Sequence, residues 1–467
     1  MLGLFGTLNL ASRSLATQQE AMAVAGQNMA NVNNPAYADE QAVIQTSAPV
    51  ETLAGEEGTG AGVVSITELR NSLLDSQIVA QNSATGSCTA QQNALQNAEA
   101  YLGEQLTTAS DGSAASTGGL ASMLSSLFNS FSSMTTGAGN PATVVQAAQE
   151  VASQFNRVSA NLSLVQGNLN TSIQNGVASC NQDLSRIASL NQQIVSAEAG
   201  GGTANELVDA REQTIENLAG LVNISTSAQA NGSVNISIGG VPMVTGGNAV
   251  DSLQTSGADG GQLLIQDANS AAPLAVTGGS IGGSITTRDG ALAGLQTSLD
   301  TLASQLITQV NTIYSAGYDS TGGTGQVFFT GTGASNIGVN SALAADPSLF
   351  QASSAPGAGG DTQIALALAN LATQANPALD NQSVTQSYAQ TVSGLGDAID
   401  TAAAQLNTSQ AISTTLTNQR SSQTGVSIDE EMTNMMQFQK AYEASAQLVS
   451  ILNTMMQMAI NMDTATA

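Results

Sequence analysis

Few residues in this sequence are of the types that carry out chemistry. There is no histidine, which removes the commonest general base, the histidine-activated serine and cysteine nucleophiles, and most zinc sites. The acidic run Asp-Glu-Glu at 429–431 offers the paired carboxylates that a hydrolase uses. However, the run follows Ser427 with capping-box spacing, so we interpret it as charge at a helix N-terminus. The sequence therefore predicts no catalytic residue, no cofactor-binding residue and no metal site.

Two cysteines, Cys88 and Cys180, are the remaining reactive groups. Each continues the apolar stripe of a predicted helix, which is typical of a small buried hydrophobic residue. In a tight helical hairpin their positions along the two helices would differ by tens of ångströms, beyond the limit of about 7 Å between bridged Cα atoms. We therefore favour two free thiols. An offset in the connection at 107–140 would allow a disulfide, and that alternative stays open.

The charge balance excludes two classes of partner. The 467 residues include 34 acidic and only 8 basic ones, for a formal net charge of −26. Nucleic acids and anionic membrane surfaces need clustered lysine and arginine, so we expect neither as a partner. No basic segment precedes an apolar one at the N-terminus, and no apolar run is long enough to span a membrane. We expect a chain that is cytosolic or that leaves the cell without a cleaved signal.

Apolar residues recur with helical spacing over most of the chain. The predicted helices cover 1–33, 68–106, 120–134, 141–198, 203–222, 292–313, 362–374, 384–416 and 427–459. Residues 34–65 are predicted to be irregular. In 223–285 apolar and polar residues alternate after the Asn231-Gly232 turn signal, and 317–360 is glycine-rich with one short predicted strand. The pattern indicates a helical protein with inserted β segments.

The two ends of the chain carry apolar stripes with alternating three- and four-residue spacing, which is typical of a coiled-coil seam. The first stripe ends at asparagines and Pro35, which disfavours helical geometry in the residue before it. We predict that the two striped helices pair with each other; the alternative is two unrelated amphipathic helices, each packed on its own domain. The stripes consist of Leu4, Leu8, Leu15, Met22, Met29 and Val32 at the N-terminal end, and of Met435, Phe438, Tyr442, Val449, Leu452 and Met456 at the C-terminal end.

This layout predicts a nested architecture. The fold is expected to be mainly α with inserted β and elongated, with the N- and C-terminal helices paired as a coiled-coil core, a long helical bundle domain and a small β-rich outer domain. The expected domains are 1–40 with 422–467 for the core, 41–222 with 285–316 and 361–421 for the bundle, and 223–284 with 317–360 for the outer domain. Burying one apolar stripe does not offset the entropic cost of ordering its helix. We therefore expect both ends to be largely disordered in the free monomer and to order when neighbouring subunits cover them.

The end motifs resemble the axial proteins of the bacterial flagellum, the family of rod, hook and hook-associated proteins and flagellin. Near the N-terminus the matching positions are Asn28, Ala30, Asn31, Pro35 and Tyr37, with Ala36 where glycine is usual. Near the C-terminus they are Gly425, Asp429, Glu430, Glu431, Met432, Phe438, Gln439, Ala441, Tyr442, Ala444, Ser445 and Ala446. An interior segment is similar to the family members of the hook–filament junction, with matches at Asn205, Leu207, Asp209, Arg211 and Leu218.

The resemblance implies a structural role and no enzymatic activity. It implies a ring of identical subunits at the hook–filament junction, in contact with the hook protein and with the adjacent hook-associated junction protein, with the stripe residues as the polymer interface. It also implies type III export to the outside of the cell, with a cytoplasmic export chaperone on the C-terminal helix beforehand. The alternatives are another axial protein, such as the second junction protein or flagellin, and, with less support, a secreted hydrolase on a flagellar scaffold.

Overall fold

The computed structural model describes residues 3–34, 36–52, 55–103, 119–136, 139–257, 262–358 and 360–464. The predicted helix stop at Pro35 lies outside these residues. The described part is mainly helical. Its α-helices are α1 (Leu4–Asn31), α2 (Ser72–Leu102), α3 (Leu120–Thr135), α4 (Pro141–Ala199), α5 (Asn205–Leu221), α6 (Gly279–Thr286), α7 (Ala293–Tyr314), α8 (Ser341–Ala345), α9 (Gln363–Asn370), α10 (Val384–Thr424) and α11 (Ile428–Thr464).

The strands of the described residues pair antiparallel in small sheets: β1 with β4, β2 with β3, β9 with β10, β11 with β12, and β5 to β8 in sequence order. The expectation of a mainly α fold with inserted β is confirmed. The strands are β1 (Glu40–Thr46), β2 (Val50–Thr52), β3 (Gly55–Glu57), β4 (Ala61–Glu68), β5 (Ile224–Ala228), β6 (Val234–Ile238), β7 (Val241–Thr245), β8 (Asn248–Ala249), β9 (Leu253–Gly257), β10 (Leu263–Asp267), β11 (Phe329–Thr330) and β12 (Gly338–Val339).

The segment 34–65, predicted to be irregular, instead forms two nested hairpins, β1–β4 and β2–β3. The pairing of β1 with β4 shifts register between Val43 and Ile44. Such a bulge interrupts the period of two by which a strand is recognised in sequence. The hairpin packs on α1, where the hydroxyl of Thr17 donates a 3.0 Å hydrogen bond to the carbonyl of Ala61.

The long helix α4 organises two separate hydrophobic clusters. Its 59 residues correspond to about 88 Å at 1.5 Å per residue. It begins at Pro141, after the side chain of Asn140 has accepted a 3.0 Å hydrogen bond from the amide of Ala142, which is a favoured start for a helix. The first half of α4, up to Leu169, packs in one cluster with α3, α7, α9 and part of α10; the second half, from Ile173, packs in another with α5 and β6–β10.

The two β-containing segments do not share a core. Residues 223–284 pack in the second cluster, where alternate residues of β6 are buried as the period of two predicts. Residues 317–360 pack in the first, around Phe328, Phe329 and Phe350. The two segments thus pack on different halves of α4. Their assignment to one outer domain, like the other domain boundaries, stays a prediction.

Candidate assembly interface

The first and last helices lie side by side. They form the most extensive helix contact of the described chain, and the hydroxyl groups of Ser14 on α1 and Ser445 on α11 are 2.9 Å apart. The predicted pairing of the two ends is therefore present, and the alternative of two helices packed on separate domains is not.

A single chain covers the predicted stripes only in part. All six stripe residues of α1 are half-buried. On α11, Leu452 is buried at 7% exposure, Met435, Phe438, Val449 and Met456 are half-buried, and Tyr442 is exposed. The twelve residues thus lie along one pair of packed helices. Their role as a polymer interface stays a prediction.

A second apolar strip on α11 was missed by the sequence analysis. It has the same three-and-four spacing, but it faces away from the rest of the chain: Ile451 and Met458 are each 57% exposed. We call this set the outer strip, and it consists of Leu448, Ile451, Met455 and Met458. Exposed apolar residues of this number on one helix face indicate a surface that another protein covers. The outer strip could have been predicted from the sequence, since apolar residues recur on more than one face of α11.

The most buried face of α1 was also missed. It consists of Thr17, Ala21, Val24 and Asn28, which are buried, whereas the large residues of the predicted stripe are not. These four residues are spaced four, three and four apart, so they share a face of the helix. Large apolar side chains are what marks a helix face in a sequence, and three of these four residues are small or polar.

Asn28 is the centre of a buried hydrogen-bond network at the end of α1. Its amide nitrogen donates to the Asp39 carboxylate at 2.7 Å and to the Glu40 carbonyl at 2.9 Å. Its amide oxygen accepts from the Tyr37 hydroxyl at 2.8 Å and from the Glu40 amide at 3.1 Å. Two residues of the N-terminal motif, Asn28 and Tyr37, therefore fix the path of the chain from α1 into β1.

The interior motif ties α5 to the N-terminal hairpin. The side chain of Asn205 donates to the Glu40 carboxylate at 2.9 Å, and Asp209 accepts from the guanidinium of Arg70. Arg70 also pairs with Glu68, at 2.5 Å between Nε and Oε2. The residues of α5 belong to a recognisable motif. The roles of Arg70 and Glu68 could not be predicted, because no motif in their own segment indicates an ion pair.

Another residue of the same motif, Arg211, faces the sheet instead. Its guanidinium donates to the carbonyl of Gly232 at 2.6 Å and to the side chain of Asn191 at 3.2 Å. Gly232 lies in the predicted turn and has a φ of +79°, a conformation that glycine adopts without strain. The motif thus joins three parts of the fold, the hairpin, α5 and the sheet.

Burial raises the pKa values of several carboxyl groups in this region. Burial and then repulsion from Glu431 raise the pKa of Asp39 to about 6. Burial outweighs the opposing effect of Arg70 and raises the pKa of Glu68 to about 7 and that of Asp209 to about 6. Burial likewise raises the pKa of the Tyr37 hydroxyl. The region is therefore rich in carboxyl groups that exchange protons near neutral pH.

The residues considered for catalysis or for a disulfide lie at positions that have a structural explanation. The acidic run at 429–431 lies in the first turn of α11. Cys180 is buried in α4 and Cys88 half-buried in α2, and both are free thiols, so the favoured interpretation is confirmed except that Cys88 is less buried than expected. Among the described residues there is no group of three or more Cys, Asp or Glu placed to hold a metal ion. In the same part of the chain, no helix combines the length and apolarity needed to cross a membrane.

Comparison with known proteins agrees with this architecture. Residues 104–329 match the family described as flagellar hook-associated protein FlgK helical domain. Residues 417–462 match the family described as flagellar basal body rod FlgEFG protein C-terminal. The chain is 29% identical to flagellar hook-associated protein 1 of Bacillus subtilis, over 99% of each chain. The predicted resemblance to flagellar hook-associated protein 1 is confirmed.

A second relative is also similar over nearly the whole chain. The protein of the same name from Escherichia coli is 22% identical, over 97% of this chain and 99% of its own. The structure of the flagellar hook junction protein FlgK from Burkholderia pseudomallei aligns with a TM-score of 0.62 and 16% identity, and covers 74% of this chain and 99% of that one. At this identity the structural match concerns the fold alone.

Proposed function

We propose that the chain is a structural subunit of the junction between flagellar hook and filament, and that it polymerises through α1 and α11. The observation that carries this proposal is the terminal helix pair. One chain leaves apolar residues half-buried along α1 and exposed along α11, and an apolar helix face in a folded protein needs a covering partner. Similarity to flagellar hook-associated protein 1 over the whole chain supports the flagellum as the assembly that supplies this partner.

The proposed partners are copies of the same chain in a ring, the hook protein on one side and the adjacent hook-associated junction protein on the other. The twelve stripe residues, from Leu4 to Met456, are proposed as the inner part of the polymer interface and the outer strip as its outer part. Only 9% of the residues are charged. An uncharged polar surface supports close packing beside identical copies, since like charges repel less.

The proposed location is outside the cell, after type III export. An exposed apolar helix associates non-specifically unless it is covered. We therefore propose that a cytoplasmic chaperone holds α11 before export, and that the outer strip is part of the surface it holds.

We propose no catalytic activity. The acidic run at 429–431 is explained by its position in the first turn of α11, where the helix dipole favours negative charge. An assay for hydrolysis of cell wall or protein by the purified chain tests this, and any turnover would contradict it.

The junction proposal is tested by charge placed on the outer strip. In cells whose only copy carries Ile451→Glu with Met455→Glu, hooks should form without filaments and flagellin should appear in the medium. Both residues are exposed in the single chain, so the change acts on contacts between subunits rather than on folding of the body, which is α2 to α10 with the strands between them.

The matched control is Ser450→Glu with Gln457→Glu, which adds the same two charges to exposed polar positions of the same turns. These cells should build normal filaments. The amount of each variant in the medium is measured as well, which separates failed assembly from failed export. Normal filaments in the first strain would contradict the interface assignment.

A further inference from the structure

Methionine is concentrated on the last helix. More than half of the 13 methionines of the chain lie on α11. Four of them are exposed, as two pairs in different parts of the helix: Met432 and Met436 near its start, and Met455 and Met458 near its end. Within each pair one side chain is 48% and the other 57% exposed. The two pairs therefore present the same chemical group to solvent to the same extent.

Only the second pair belongs to the outer strip. Met455 and Met458 follow Ile451 on the same face of α11, whereas the first pair lies about three turns or more before the strip begins. The inference below rests on the proposed function, in which a neighbouring copy of the chain covers the outer strip. In that arrangement the thioether groups of Met455 and Met458 lie in an apolar contact between subunits.

The other methionines whose side chains the structure describes are less accessible. Met243 in β7 is fully buried in the second cluster. The half-buried ones are Met22, Met29, Met123, Met134, Met435 and Met456. Because an oxidant in solution reaches exposed thioether groups first, we expect the two exposed pairs of α11 to be modified before any of these.

The modification is a two-electron oxygen transfer from a peroxide to the thioether sulfur. A lone pair of the sulfur attacks one oxygen of hydrogen peroxide, the oxygen–oxygen bond breaks, and a sulfur–oxygen bond forms. The other oxygen leaves as water, so the sulfur is oxidised to a sulfoxide and the peroxide is reduced. The product is polar, with an oxygen that accepts hydrogen bonds, whereas the thioether is apolar.

A sulfoxide on the outer strip changes binding but not the fold of the single chain. In the free chain Met455 and Met458 are exposed, so the new oxygen is hydrated and no packed contact is lost. When a neighbour covers the strip, that oxygen loses its water, and the side chains of Leu448 and Ile451 beside it offer no hydrogen-bond donor. A polar group buried without a partner weakens the contact that buries it.

We propose that Met455 and Met458 form an oxidation-sensitive modification site that controls assembly. A free subunit that meets peroxide acquires sulfoxides at these two positions and no longer joins its neighbours. An assembled subunit is protected, because the neighbouring copy covers both sulfur atoms. Methionine sulfoxide reductases, one for each sulfoxide epimer, return the free subunit to its binding form.

The test uses the purified full chain, hydrogen peroxide, and hooks isolated from cells that lack this chain. Peptide mass spectrometry locates the added oxygen, and binding of the chain to the hooks is measured before and after treatment. In the free chain Met455 and Met458 should react about ten-fold faster than Met243, and in the bound chain they should be protected. Treatment of the free chain should weaken its binding about ten-fold or more, and both reductases together should restore it.

Two matched variants assign the effect to the outer strip. Met455→Leu with Met458→Leu keeps the strip apolar and removes its sulfur atoms, so binding to the hooks should survive peroxide. Met432→Leu with Met436→Leu removes the equally exposed pair outside the strip. Binding of this second variant should stay as sensitive to peroxide as that of the unchanged chain.

The outcomes separate this inference from the proposed function. Both variants keep Cys88 and Cys180, so a loss of binding caused by thiol oxidation would appear in both. Equal sensitivity of the two variants would overturn the proposal, and so would treated chain that carries both sulfoxides and binds as tightly as untreated chain. Untreated chain that does not bind the hooks at all would contradict the proposed function, and this inference with it.

Discussion

The backbone amide of Asp39 donates a 2.9 Å hydrogen bond to the carbonyl of Thr424, although the two residues lie near opposite ends of the sequence. The bond joins the turn after the first helix to the end of α10, one residue before the chain leaves the body for the last helix. The terminal helix pair is thus attached to the body by a small region whose side chains can be changed one at a time.

The first prediction concerns Asn28, whose side chain makes four hydrogen bonds in a buried site. Asn28→Leu leaves the Tyr37 hydroxyl and the Glu40 amide without that partner. Since each buried polar group left unpaired costs about 1–3 kcal/mol, local opening of this region should become easier by about 2–4 kcal/mol. Hydrogen exchange of the amides in 24–46 measures it. Asn33→Leu, at an exposed position, is the control and should change exchange little.

The second prediction concerns Arg70, which is paired with Glu68 and Asp209 in a mostly buried site. Arg70→Met leaves two carboxyl groups without their cation, so their pKa values in the folded state rise further above the unfolded values. Protonation relieves this at pH 5, whereas at pH 8 the loss should reach about 2–4 kcal/mol. Urea unfolding at the two pH values measures the difference. An equal loss at both would contradict the electrostatic assignment, and Arg13→Met, at an exposed site, should show little loss at either.

The third prediction compares two glycines inside helices. A Cβ atom added at Gly86 in α2 would lie 2.3 Å from the carbonyl oxygen of Gly220, whereas one added at Gly167 in α4 would meet nothing within 4 Å. Gly86→Ala should therefore destabilise the packing of α2 on α5 by about 1–3 kcal/mol. Gly167→Ala should stabilise the chain by about 0.5–1 kcal/mol, because alanine favours the helix. Thermal unfolding measures the change in stability of each variant. A change of the same sign in both would contradict the close approach of α2 and α5.

The fourth prediction concerns Gln351 in the first hydrophobic cluster. Its side chain is fully buried, and neither its amide nitrogen nor its amide oxygen has a hydrogen-bond partner among the described residues. Gln351→Met keeps a similar length and removes the unpaired polar atoms, so the body should become more stable by about 1–2 kcal/mol. The urea midpoint measures the gain. Gln363→Met, at an exposed position, should change it little, and a lower midpoint for Gln351→Met would show that the buried amide is needed.

Much of the architecture could be predicted from sequence because it depends on strong periodic signals. The apolar stripe of α4 runs without interruption through Leu162, Val165 and Leu169. The start of the helix follows a capping residue, Asn140. The pairing of α1 with α11 followed from two matching stripes. The hairpins at 40–68 were missed because a bulge breaks their short period.

The finer structure of the terminal region could not be predicted, for a different reason. Arg70 meets Asp209 only when α5 folds against the hairpin. No local sequence pattern predicts a contact between segments so far apart in the chain. The packing of 223–284 and of 317–360 could not be predicted for the same reason, and their grouping in one outer domain stays a prediction. Both segments are rich in glycine, but composition does not say which half of α4 each one packs on.

The central claim is that the terminal helices are completed by neighbouring subunits. The structure bonds the C-terminal end of α1 to the start of the hairpin around Asn28, and it leaves the outer strip of α11 exposed. The most direct measurement is hydrogen exchange of the full chain as a dilute monomer and after assembly. The account predicts fast exchange in the monomer for amides in 4–20 and 440–464, slow exchange for those in 141–199, and protection of all of them after assembly. Terminal amides as protected in the monomer as those of α4 would contradict it.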